Sequence, residues 1–282
     1  MKKRILACAL LLVLLTGCAP GVSKADGKTV AATTWPVAQF AGAVVSGTDI
    51  TVTRVISEPV SCLHDYSLSV DQMKAAENSQ AVVISGAGLE DFMSDALASC
   101  PAVIDASQGI ETTTGAEGVD PHIWMDPENA VKMVQNIAAG LAKLYPEDRD
   151  VFLKNADAYC KKLDDLDQYG QDRLRTLKSR ELVTFHDGFA YFAKAFDLTI
   201  AAAIEEEAGS EASAADLKGI VALVEKDKIP AVFTETNGST AAASVIESET
   251  GVPGYTLDMC LGETDYLTAM KNNIDTIGEA LG

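Results

Sequence analysis

Histidine is used only three times in 282 residues, and each use falls in a stretch able to present an imidazole: His64 in SCLHDYSL, His122 in VDPHIWMDP and His186 in VTFHDGF. A neutral imidazole offers one nitrogen lone pair, which suits it to ligate a metal or to shuttle a proton. Around His122 the two Asp-Pro steps fix φ at the prolines and push the preceding residues toward extended conformations, which makes a stiff loop. His64 lies beyond the strand-like run ITVTRVI and a short loop containing Pro59, His122 follows PAVID, and His186 ends ELVTF. In open parallel sheets ligands gather beyond the carboxyl ends of the strands, so all three belong to one functional edge. Two histidines come from the first half of the chain and one from the second, which puts their meeting point in a cleft. Asp258, directly after the last strand-like run in YTLDMCLG, supplies a carboxylate from the second half. Three imidazoles and one carboxylate form a tetrahedral shell suited to Zn(II), at about 2.0 to 2.2 Å. Glu235 in VFTETN is the rival carboxylate, read as lining the cleft. Asp65, Asp120, Asp126 and Asp187 lie near the histidines in sequence, placed either to hold their second ring nitrogens or to cap helices.

Those residues need a scaffold of alternating strands and helices. TVAATTW, ITVTRVI, AVVISG and PAVID read as strands, with VDQMKAAENSQ and GLEDFMSDALAS as helices between them. An amphipathic helix with Ala130, Val134, Ile137, Leu141 and Leu144 on one stripe closes this half. The pattern predicts an α/β fold of two lobes, each a mainly parallel sheet flanked by helices, bridged by one long rigid helix. The N-terminal lobe spans 29–146, the linking helix 147–178 and the C-terminal lobe 179–282. In the last, ELVTF, LTIAAAI, PAVFTE and PGYTL read as strands, and Ser213 with Asp216 forms a variant capping box.

The chain opens with Lys2, Lys3 and Arg4 and an apolar run from Ile5 to Leu15, too short to span a bilayer as a mature helix. Residues 1–17 therefore read as a signal peptide. Its end, Leu15-Thr16-Gly17-Cys18, resembles the bacterial lipobox, which makes Cys18 the lipid anchor and 18–28 a lipidated cysteine with a flexible tether. The expected location is extracytoplasmic, anchored to the bacterial cell membrane. The balance of 22 Lys and Arg against 41 Asp and Glu argues against nucleic acid as a partner.

A zinc-dependent extracellular hydrolase is the competing class. The short-spaced HExxH motif is absent, and four protein ligands close the coordination position that catalytic zinc keeps for water. The GAGLED stretch after a strand lacks the third glycine of a dinucleotide fingerprint. A carrying role is favoured, and the chain is not expected to be an enzyme.

From lipobox to final helix the chain resembles the solute-binding lipoproteins of zinc and manganese ABC importers, the family called cluster A-I or metal-binding cluster 9. CLHDYSLS, GAGLEDF, VDPHIWMDP, HDGFAYFAKAFDL and EASAADLKGIVALVEKDKIPAVFTE carry the resemblance. It implies little hinge motion, a metal ion in the interlobe cleft, and delivery to an ABC permease by a monomeric receptor. It places the ligands on His64, His122, His186 and Asp258. Manganese-selective members usually carry Glu at the third position, so His186 points to Zn(II) as the bound substrate, with Mn(II) the alternative. Two departures stand out: QGIETTTGAEG replaces the His-rich loop of many zinc members, and Leu-Asp-Met-Cys-Leu-Gly replaces the common Leu-Asp-Pro-Leu-Gly. Cys62 and Cys260 thus both lie near ligand positions, open to a disulfide, to metal ligation or to buried free thiols.

Overall fold

Short runs rich in Val, Ile and Thr build the first sheet, as their β-branched side chains favour extended backbone. The strands are β1 (Lys28–Ala32), β2 (Ile50–Arg54), β3 (Ala81–Ile84) and β4 (Val103–Asp105), all parallel in the order β2-β1-β3-β4. This computed structural model describes residues 27–58, 60, 63, 66–115, 118–205 and 212–282. The leader, Cys18 and most of the tether lie outside these residues, as do Cys62, His64 and Asp65. No helix among the described residues is long and apolar enough to cross a membrane.

Helices α1 (Trp35–Val45), α2 (Val70–Glu77), α3 (Ser94–Ala98) and α4 (Pro127–Leu144) accompany this sheet. The first of these is absent from the sequence reading. WPVAQFAGAVV is apolar almost all round, so its buried face, with Val37, Phe40, Ala41 and Val44, leaves no contrasting polar stripe. On α4, Ala130, Val134, Ile137 and Leu141 are buried as expected, whereas Leu144 in the last turn is exposed. The segment before His122 contains a small antiparallel hairpin, β5 (Thr114–Gly115) with β6 (Gly118–Val119).

A 3-10 turn at Pro146–Asp148 leads into α5 (Arg149–Leu174), whose 26 residues make a rod of about 39 Å. It stops short of residue 178 because other groups take over its last turn. The Arg180 guanidinium donates to the carbonyls of Leu174 and Arg175, and Lys178 N–H turns to Leu281 O. The second lobe holds β7 (Glu181–Thr184), α6 (Ala190–Ala195), β8 (Thr199–Ala203), α7 (Ala214–Asp227), β9 (Val232–Glu235), α8 (Ala241–Thr250), β10 (Gly254–Leu257) and α9 (Tyr266–Ala280). β7 pairs with β8 and β9 with β10, both parallel, and β7 lies alongside β9. Ser213 and Asp216 form the reciprocal capping box at the start of α7.

One apolar core runs through both lobes. It joins Phe40, Val82, Trp124 and Ile137 to Phe152 and Leu163 of α5, to Phe192 of α6 and to Tyr266 and Ile274 of α9. A smaller core, with Val183, Ile220, Val232 and Ile246, belongs to the second lobe alone.

The GAGLED segment is a strand-end staple. Fully buried Glu90 accepts from Thr33 Oγ1 at 2.6 Å, Ser85 N–H at 2.8 Å and Gly86 N–H at 3.0 Å, tying the ends of β1 and β3 together. Gly86 is required here: its φ is +85°, and a Cβ would lie 2.1 Å from Asp105 Oδ1. Burial pushes the Glu90 carboxyl from about 4.5 up to about 7. The folded chain then holds a proton that the unfolded chain releases, so Glu90 makes stability fall as pH rises from 4.5 through about 7. Glu90→Gln should flatten that slope in urea titrations across this window. Glu90→Ala, which orphans three buried donors, should cost about 3 kcal/mol or more.

Candidate metal centre

The VDPHIWMDP loop is held from several sides. Asp120 N–H donates to Thr113 O at 2.9 Å, and Asp120 O accepts from Tyr191 Oη, across in α6, at 2.9 Å. Thr113 N–H closes the circuit by donating to Tyr191 Oη at 3.0 Å. Beyond His122 the chain makes a 3-10 turn at Ile123–Met125, and Asp126 then caps α4 through Glu128 N–H, with Pro127 as its first residue. The first Asp-Pro step thus presents His122 and the second starts a helix.

Within that loop, Asp120 Oδ1 accepts from both the backbone N–H of His122 at 2.9 Å and its ring Nδ1 at 2.8 Å. His186, just past the end of β7, meets Glu235 of β9 in the same way, Nδ1 against Oε1. A carboxylate that is ionised only accepts, an arrangement that puts the shared proton on Nδ1 and the lone pair on Nε2. Both histidines are about 98% buried, and their ring centroids lie 5.3 Å apart, so the structure brings these two sequence-selected residues together. His186 Nε2 is buried without a hydrogen-bond partner among the described residues. A buried acceptor left unmet costs free energy, and a cation in front of it would restore what water supplied.

The space before that nitrogen is kept open by Gly188. A Cβ there would lie 2.6 Å from His186 Nε2 and 2.7 Å from Met259 Cε.

Asp258 follows β10 and is fixed by its backbone. Asn273 of α9 accepts from Asp258 N–H at 2.8 Å and donates to its carbonyl at 2.7 Å, while Asp258 Oδ1 accepts from Cys260 N–H at 2.7 Å. Burial, with the Glu235 charge adding to it, holds the Asp258 carboxyl above its ordinary value. Among the described residues no three His, Cys, Asp or Glu side chains are gathered tightly enough to hold an ion. His64 lies outside the described residues. Of the other acids, Asp120 and Glu235 orient the rings, Asp126 is a helix cap, and Asp187 Oδ2 lies against Gly115 of the hairpin.

Cys260 is a free, buried thiol at φ +61°. Burial and the charges of Asp258 and Asp265 push the thiol well up, which disfavours the thiolate that a metal needs. Cys100 and Cys160 are also free.

Three positioning residues escaped the sequence reading. Trp124, two residues after His122, packs edge-on against that ring at 5.4 Å and donates Nε1–H to Met259 O at 2.8 Å. Tyr266 Oη donates to Trp124 O at 2.5 Å, so the segment after Asp258 is bound to the segment after His122. Asn273 had a legible signal, being a polar residue on the buried stripe of α9 beside Met270, Ile274 and Ile277.

Gly188→Ala should push a methyl onto His186 Nε2 and weaken zinc binding by about a hundredfold or more, as a displaced ligand would. Calorimetric titration measures the affinity, and an unchanged circular dichroism spectrum would show that the fold persists.

The ZnuA family model, described as zinc-uptake complex component A, periplasmic, matches residues 30–280. The zinc-binding lipoprotein AdcA of Streptococcus pneumoniae R6 is 28% identical over 98% of this chain, which spans 60% of that relative's length. The manganese-binding lipoprotein MntA of Halalkalibacterium halodurans is 26% identical over 77% of both chains. A crystal structure of ZnuA superposes with a TM-score of 0.81 at 28% identity, covering 91% of this chain and all of that one. The two-lobe α/β architecture and the resemblance read from the sequence thus have the same source: the chain belongs to the ZnuA family of periplasmic zinc-uptake components.

Proposed function

We propose that this protein is an extracytoplasmic receptor that captures a divalent transition metal, Zn(II), between its lobes and passes it to an ABC permease. The observation that carries this reading is the pair of buried histidines, one from each lobe, whose Nδ1 atoms meet Asp120 and Glu235 and whose ring centroids lie 5.3 Å apart. His64 and Asp258 complete the proposed ligand set. Nitrogen donors in this number favour Zn(II), whereas Mn(II) is better served by oxygen. The zinc-binding and manganese-binding names of similar proteins support a divalent transition metal and a binding role over a hydrolytic one. Cys18, after a lipobox-like sequence, is the proposed lipid anchor, and a monomer is the proposed state.

The fixed tautomers make binding a proton competition. Imidazoles must be neutral, and Asp258, held above its ordinary value, must give up its proton to join the ion, so affinity falls as pH falls. Zinc titrations between pH 5 and 8 should lose about tenfold in affinity per pH unit for each proton displaced.

His64→Ala, His122→Ala and His186→Ala should each lower zinc affinity by orders of magnitude in calorimetric titration after chelation, with the fold intact. Zinc at 100 times its dissociation constant should stabilise the wild type by about 2.7 kcal/mol in thermal unfolding. Unaltered affinity in all three variants would refute the receptor reading.

A further inference from the structure

We propose that Met259 sets the metal preference of this site, by occupying with a methyl group the place where a coordinated water would stand beside His186. The proposal rests on the receptor reading above.

Met259 immediately follows Asp258 and is 4% exposed. Its carbonyl is pinned by Trp124 Nε1 at 2.8 Å, and its flanking residues Asp258 and Cys260 are joined by the 2.7 Å bond from Cys260 N–H to Asp258 Oδ1. The backbone is therefore fixed on both sides of the side chain. That side chain ends over Gly188: the point 2.6 Å from His186 Nε2 is also 2.7 Å from Met259 Cε. A methyl group and the buried ring nitrogen, which has no hydrogen-bond partner among the described residues, thus border one small space beside Gly188.

An apolar methyl neither donates to nor accepts from water, so water beside it lacks the polar partners that hold it in a buried site. The two candidate metals respond differently. Zn(II) in a closed site is content with four tetrahedral protein ligands. Mn(II) favours octahedral coordination with oxygen donors, and in a site with four protein ligands the remaining positions fall to water. Crowding that region leaves the tetrahedral ion untouched and deprives the octahedral one of its ligands. Met259 thereby acts against Mn(II) without contributing a bond to Zn(II).

The test compares full-length wild type with Met259→Ala and Met259→Leu, by zinc and manganese competition titrations and by the visible absorption of bound Co(II). In the wild type and in Met259→Leu, Co(II) should give the intense bands of a tetrahedral site. Met259→Ala should raise the Mn(II)-to-Zn(II) affinity ratio by about tenfold or more and weaken the cobalt bands toward those of a higher-coordinate ion. An unchanged ratio in Met259→Ala overturns the proposal. So does an equal shift in Met259→Leu, which would mean that the sulfur is a ligand, and so does a weak, high-coordinate cobalt spectrum in the wild type. If Met259→Ala fails to fold, the wild-type cobalt spectrum and the Met259→Leu ratio still decide. Failure of the wild type to bind any of the three metals removes the receptor reading itself, and the proposal with it.

Discussion

Two short contacts between a carboxylate and a histidine Nδ1 govern the site. Asp120 and Glu235 do more than align the rings of His122 and His186, because an ionised acceptor fixes the proton on Nδ1 and so decides which nitrogen keeps its lone pair. The cost is burial of two acids in an apolar interior, tolerable only because each is hydrogen-bonded. Everything around them serves that arrangement: Tyr191 and Thr113 hold the backbone of Asp120, and β9 sits beside β7 so that Glu235 reaches His186.

The opposing walls of the site belong to different lobes yet are fastened together. Trp124 and Tyr266 tie the residues after His122 to those after Asp258. Further out, Trp35 Nε1 donates to Thr264 O at 2.7 Å, Gln39 accepts from Tyr266 N–H at 2.9 Å, and Arg54, stacked 4.5 Å above the Trp35 ring, donates to Gly262 O at 3.2 Å. The loop carrying Asp258 follows a strand of the second lobe but is anchored on the first.

The strands, and the strand-end positions of His122 and His186, were legible in the sequence because both depend on local chemistry. The eight strands of the two lobes show as β-branched or apolar runs, and His122 announces itself through Asp-Pro steps that act on their own backbone. What was not legible depends on partners distant in the chain. The α1 helix hides in an apolar segment whose period only its packing reveals. The hairpin is a two-residue ladder within TTTGAEGV, too short for alternation to register. Cys260 lies next to the site in sequence, but its left-handed backbone and its burial, with Sγ 3.7 Å from Asp258 O, depend on packing that the sequence does not display. Leu144 extended the stripe of α4 by sequence periodicity, yet the core ends one turn earlier.

The apolar core that passes from Phe40 through α5 to Ile274 couples the two lobes mechanically. Swinging the lobes apart like a clamshell would wet that interior, at a cost in the range of partial unfolding. Side-chain rotation and fraying of short segments, by contrast, leave that core intact and run on nanosecond to microsecond timescales. A rigid frame of this kind leaves discrimination between ligands to the side chains around His122 and His186, not to a swing of the lobes.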